Sequence, residues 1–176
     1  MSRLSPRLAA IIDALPLRAG MRVLEIGGAA GAAAKAVAGR IGSGHILMID
    51  RSAKSVALAE RNAADEIAAG LMSVRQVPVE DLELLANDDP FDLAFAVRVG
   101  ALDGRHPKSG EVGLHRIAEA LTPQGRCSST QGTLCANCAF HHATLDPGHI
   151  PSAVTGVREP LSGIDAAPAS RSGTGD

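Results

Sequence analysis

Apolar residues recur along this chain with two spacings, and the alternation between them predicts its architecture. After Ser5-Pro6, a hydroxyl cap followed by a first-turn proline, Leu8, Ile11, Ile12 and Leu15 fall on one helical face. Pro16 to Gly20 turns the chain into a short apolar run, Val23, Leu24 and Ile26, which reads as a buried strand. An Ala-rich stretch from Ala32 to Gly39 follows and reads as helix, with Ile41-Gly-Ser-Gly44 as the next turn. HILMID (45–50) is apolar on both faces and reads as a second strand. A helix is predicted over 52–69, with Val56, Ala59, Ala63 and Ile67 on one face and Gly70 as its stop. SVRQV (73–77) is a third strand, VPVEDLEL (77–84) leads into a short helix, and 92–99 is a fourth strand. Helix 111–121 turns Leu114, Ile117, Ala118 and Leu121 inward. Strand alternating with helix predicts a doubly wound, mostly parallel α/β sheet with helices on both faces and a ligand at the carboxyl ends of the strands.

The richest local chemistry lies between the first strand and its helix. Gly27, Gly28, Ala29, Ala30 and Gly31 form a loop of small residues leading to a helix N-terminus, where backbone comes close to a ligand because side chains are absent. The middle glycine of the dinucleotide fingerprint G-x-G-x-x-G is replaced by Ala29. Glu25 stands two residues before the first glycine; a carboxylate there suits a ligand with a positive end better than a pyrophosphate. Asp50 ends the second strand ~20 residues beyond the loop, where an acid accepts hydrogen bonds from both hydroxyls of a ribose. The competing role for Asp50 is to cap the following helix. A nucleoside ligand is the common denominator, and an NAD(P)-binding oxidoreductase is the alternative that the loop leaves open.

EIGGAAG (25–31) resembles motif I of the class I S-adenosylmethionine-dependent methyltransferases. Asp50, Phe91-Asp92 before an apolar strand, and Leu121-Thr-Pro-Gln-Gly125 follow in the order and spacing of that family, so the resemblance covers residues 4–126. It implies a Rossmann-like fold and methyl transfer, with S-adenosyl-L-methionine as cofactor, whose ammonium and sulfonium fit the charge of Glu25. By that resemblance Glu25, Gly27, Gly28, Gly31 and Asp50 hold the donor. At the end of the third strand the family carries an acid and backbone amides that hold adenine; here the acid's place is taken by Pro78, leaving the Val79 amide and the Glu80 carboxylate. Arg51 occupies a position that is commonly apolar against adenine, and its aliphatic stem can cover the base. The N-terminal helix is expected either to help cover the ligand, as in the family, or simply to cover a sheet face.

Methyl transfer needs alignment and sometimes a base for the acceptor. Arg98, Asp103, Arg105 and His106 lie just past the fourth strand; His106 is the candidate base and Asp103 a candidate orienting group, the alternative being a solvated loop. His45 and His115 read as structural. The Asn/Asp-Pro-Pro-aromatic motif of amino-methylating nucleic-acid and glutamine enzymes is absent after this strand. With no Trp or Tyr, three Phe, and a net charge of −2, the chain has little surface for stacking or neutralising a nucleic acid, so a small-molecule acceptor is expected. No run approaches a membrane span, residues 1–20 lack a secretory core, and the three cysteines lie in the last third, which predicts a cytoplasmic protein without a disulfide framework.

That last third breaks the pattern. A fifth strand is due after Arg126, and RCSSTQGTLCANCAFHH does not read as one; residues 127–176 are expected to be an irregular, disordered tail that leaves the sheet incomplete on that side. Shifted by one base, with Ser as TCN, Cys127-Ser-Ser forces an apolar triplet; Asp, a small residue and Gly are permitted next, and the codons after those permit Asp-Pro-Leu-Arg-Glu-Leu. The tail therefore reads as a frameshifted translation from about residue 127, and a non-catalytic donor-binding remnant is a second alternative to an active enzyme. Cys135-x-x-Cys138 with His141, His142 and His149 has the ligand types for zinc, but with one Cys pair and irregular His spacing it reads as incidental, and no metal is expected.

Overall fold

The computed structural model describes residues 4–97, 99–102 and 105–129. In chain order the elements are α1 (Pro6–Ala14), β1 (Arg22–Ile26), α2 (Ala32–Ile41), β2 (His45–Asp50), α3 (Ala53–Asn62), α4 (Ala64–Ala68), β3 (Met72–Gln76), a 3-10 turn (Val79–Asp81), β4 (Phe91–Ala96), α5 (Pro107–Ala120) and β5 (Leu121–Ser129). The five strands form one sheet in the order β3-β2-β1-β4-β5, and every pairing is parallel. The expected doubly wound α/β architecture is therefore the observed one.

Strand alternation divides the core into two layers. Val23, Met48 and Phe95 join the layer beneath α2, together with Ile12 of α1. Leu24, Ile26, Leu47, Ile49 and Ala94 join the opposite layer, with Ile117 of α5 and Val79 of the 3-10 turn. The small side chains of α2 (Ala33, Ala34, Ala38) are fully enclosed. Ser5 caps α1 as its sequence predicts, its hydroxyl accepting from the Leu8 amide at 3.3 Å. α1 packs against α2, and its Ile12 joins the core layer on that side.

The structure corrects several expectations. The helix expected over 52–69 is two helices, broken at Ala63 (φ −116°, ψ 24°). The helix expected over 111–121 begins earlier, at Pro107, the proline occupying its first position. A fifth strand does form past Arg126: Cys127, Ser128 and Ser129 pair with Ala94, Phe95 and Ala96, and Cys127 is buried. The LTPQG turn lies within β5 as an irregularity in register opposite Phe91 and Leu93. The rest of the expected tail, including the Cys135/Cys138 and His cluster and the frameshifted reading, lies outside the described residues. Among the described residues no helix is long and apolar enough to cross a membrane, and no group of His, Cys, Asp and Glu is placed to hold a metal ion.

One turn below the sheet is closed tightly enough to test. The Gly44 amide donates to the Ile41 carbonyl at 3.0 Å, and the His45 amide to the Met21 carbonyl at 3.1 Å. A Cβ on Gly44 would stand 2.2 Å from that Met21 carbonyl oxygen, a backbone atom with nowhere to go. Gly44→Ala is expected to cost about 3 kcal/mol by forcing β1 and β2 apart at their first residues. A thermal melt followed by far-ultraviolet circular dichroism reads it; an unchanged midpoint refutes it.

Candidate cofactor site

β1 leads on one side to β2 and β3 and is flanked on the other by β4 and β5, so the sheet changes direction between β1 and β4. A crevice opens at the carboxyl ends of strands at such a point. Gly27 enters it with φ 72°, and a Cβ there would lie 2.7 Å from Cγ2 of Val99, so glycine is required for both conformation and space. The Gly27 amide donates to the Ile49 carbonyl at 2.8 Å, tying the loop to β2.

Asp50 completes the tie. Its Oδ2 accepts from the Ala29 amide at 3.0 Å and its Oδ1 from the Ser52 amide at 2.8 Å. Ala29 is the one described non-glycine residue with positive φ (50°), and this charge-assisted bond holds it there. Ser52, in turn, caps α3 through the Ser55 amide. Each carboxylate oxygen thus spends one lone pair on backbone and keeps another for a ligand. The Asn62 side-chain amide donates to the Ala30 carbonyl at 3.0 Å, and Gly31 (φ 77°) brings the start of α2 against Ala59.

Glu25 lies under the loop. It is 2% exposed, on the face of β1 that carries Val23, and a Cβ on Gly28 would come within 2.9 Å of its carboxyl carbon. Its Oε2 is buried without a hydrogen-bond partner. Burial pushes its pKa up to about 8, against the Ala34 amide, which lowers it, while the nearby charge of Asp50 raises it further.

The cavity above measures about 380 Å³. Gly27, Asp50, Arg51, Val79 and Glu80 line it, together with Pro78 and His106, so the structure gathers these sequence-predicted positions around one space. Glu25, Gly28 and Gly31 do not reach its wall; they shape it from below. His106 is exposed at the start of α5, next to Arg105 on the same wall. Asp103 and Arg98 lie outside the described residues. The lining also includes Ile26, Ile49, Val77, Val99, Gly100, Ala101 and Ser109, whose apolar or small side chains carry no chemical signature in sequence. His45 bridges the Gly70 carbonyl and the Ser73 hydroxyl (both 2.8 Å), and His115 pairs with Glu119 on α5, so neither belongs to the site.

A family model described as a methyltransferase domain matches residues 17–159. The chain belongs to this methyltransferase family. Class I members use S-adenosylmethionine as methyl donor. A search of curated protein sequences gives no match. Among solved structures, the methyltransferase domain resembles an S-adenosylmethionine-dependent O-methyltransferase from Thermotoga maritima (TM-score 0.56, 18% identity, 73% of this chain and 45% of that one). It also resembles an S-adenosylmethionine-dependent methyltransferase from Thiobacillus denitrificans in complex with S-adenosyl-L-homocysteine (0.55, 23%, 72% and 48%). The YcgJ protein of Bacillus subtilis is similar at 0.56 and 25% identity, over 69% and 48%. The methyltransferase domain spans less than half the length of each of these structures.

Two features of the site fit the family's donor. The loop is a cradle that a Cβ at Gly27 would fill, and the unpartnered Oε2 of Glu25 beneath it is a buried acceptor suited to a cationic ligand.

Proposed function

We propose that this chain binds S-adenosylmethionine in the cavity at the carboxyl ends of β1, β2 and β3 and methylates a small-molecule acceptor. The observation that carries the reading is Asp50, held by two backbone amides at the cavity wall with one lone pair left on each oxygen. Those oxygens take the two ribose hydroxyls, Gly27 admits the ligand close to backbone, and the Val79 amide with the Glu80 carboxylate reads the base. Arg51 lays its stem along that base, Gly28 lets the loop stay close above Glu25, whose charge complements the ligand's positive end, and Gly31 lets the start of α2 close against Ala59. When bound, the donor supplies a methyl group on a sulfonium sulfur. His106, on the cavity wall, accepts the acceptor's proton at a ring nitrogen; the other candidate, Asp103, lies outside the described residues.

The cavity's volume lies in the range of small-ligand sites. The scarcity of aromatic residues and the slight negative charge argue against a nucleic-acid acceptor. The confinement of the cysteines to the last third supports a cytoplasmic setting. Calorimetric titration with S-adenosylhomocysteine tests the reading, since a chain without Trp or Tyr is nearly blind to fluorescence. Saturable one-to-one binding is expected. A folded chain that gives no heat with this ligand, or that binds NADH instead, overturns it.

A further inference from the structure

The cofactor reading sets an acid, Glu25, under a loop that the ligand is to cover, and the empty fold must hold that acid by itself. Glu25 lies one glycine below the loop surface, and only the absence of a side chain at Gly28 lets its carboxyl sit there. One carboxyl oxygen, Oε2, has no partner within the fold. The elements around it offer no compensating cation among the described residues. On β2, Met48 is its register partner and Asp50 the nearest charge, of the same sign. On β4 its partner is Phe95, and the loop itself carries no titratable group. On α2 the one cation near the helix start, Lys35, is engaged by Glu66 and the Asn62 carbonyl, both at 3.0 Å. A bare carboxylate in such a place is costly.

Resting on the cofactor reading above, we propose that Glu25 carries a proton in the empty site and releases it to solvent when the cationic donor enters, so that the site distinguishes donor from product by charge. The step is a single ionisation: the O–H bond of the carboxylic acid breaks, the proton leaves, and the carboxylate stays as counter-charge beneath the loop. S-adenosylmethionine carries a sulfonium charge that S-adenosylhomocysteine lacks, while both carry an ammonium and a carboxylate. Glu25 therefore favours the donor over the spent product and aids turnover by weakening product retention. Burial in the empty domain, which pushes the Glu25 pKa up to about 8, supports a protonated resting state at neutral pH.

The test is calorimetry at pH 7 in two buffers of different ionisation heat, which counts protons directly and needs no acceptor. Release of about one proton is expected on binding S-adenosylmethionine, clearly less on binding S-adenosylhomocysteine, and none with either ligand in Glu25→Gln. Equal release for the two ligands in the wild type, or release that persists in Glu25→Gln, overturns the proposal. Should the variant fail to fold, the wild type suffices. From about pH 6 to about pH 7 the ratio of the two affinities is expected to shift toward the donor, by at most about tenfold per pH unit and by less where the product also releases part of a proton, and a flat ratio refutes it. A folded wild type that binds neither ligand overturns the cofactor reading itself, and this inference with it. Binding without the proton signature removes this inference alone.

Discussion

Asp50→Ala is expected to lose at least a hundredfold in affinity for S-adenosylhomocysteine while remaining folded. Two hydroxyls donating to an ionised carboxylate contribute about 1.5–3 kcal/mol each, and their joint loss corresponds to a factor of about 10² to 10⁴ in the dissociation constant. The substitution also frees the Ala29 and Ser52 amides, which Asp50 now holds at 3.0 and 2.8 Å. Ala29, with φ 50°, then loses the side-chain bond that holds its own amide, so part of the loss is a loosened loop. Asp50→Asn separates the two effects: it retains one acceptor oxygen and the shape of the side chain, and is expected to fall between wild type and Ala. Both sites of damage lie at loop ends, so the thermal midpoint is expected to drop by only a few degrees. The measurement is a calorimetric titration of each variant beside its melt. An unchanged dissociation constant in folded Asp50→Ala rules out the ribose role.

Much of this arrangement is legible in the chain because two physical signals agree. Buried parallel strands read as unbroken apolar runs, as in HILMID, and glycines at Gly27 and Gly31 mark positions where φ is positive. Other features leave no local trace. Ala63 breaks the helix between α3 and α4 although alanine is the best helix former; it is fully buried in the core, and tertiary packing overrides its propensity. Val99, Gly100, Ala101 and Ser109 reach the cavity through the change of direction between β1 and β4, a property of the whole sheet rather than of their own neighbourhood.

The placement of Glu25 was readable and is easily missed. Period-two alternation puts it on the face of β1 that carries Val23, toward α2, whereas the cavity wall belongs to Ile26. β5 shows the opposite case: Cys127, Ser128 and Ser129 have little strand preference of their own, yet pairing with Ala94, Phe95 and Ala96 takes them into the sheet.

In the empty domain, Glu25→Gln is expected to raise the melting temperature at pH 8–9 and to change it little at pH 5. The carboxyl's pKa rises from 4.5 to about 8 on folding, mainly through burial. Below the lower value both folded and unfolded chains hold the proton, and the protonated group sits comfortably under the loop. Between the two values only the folded chain holds it, so stability falls as pH rises and has been lost once pH exceeds the folded value. Such a shift corresponds to a loss of about 3–5 kcal/mol across the window, or on the order of 10 °C in the melting midpoint. Glutamine cannot ionise, so the variant's midpoint stays level over the same range, and the two curves diverge with increasing pH. Parallel curves would mean that the carboxyl is ionised in the empty fold, with the Ala34 amide at the start of α2 outweighing burial. In that case Glu25 would be a standing negative charge under the glycine loop, and no proton would be left for an incoming cation to displace.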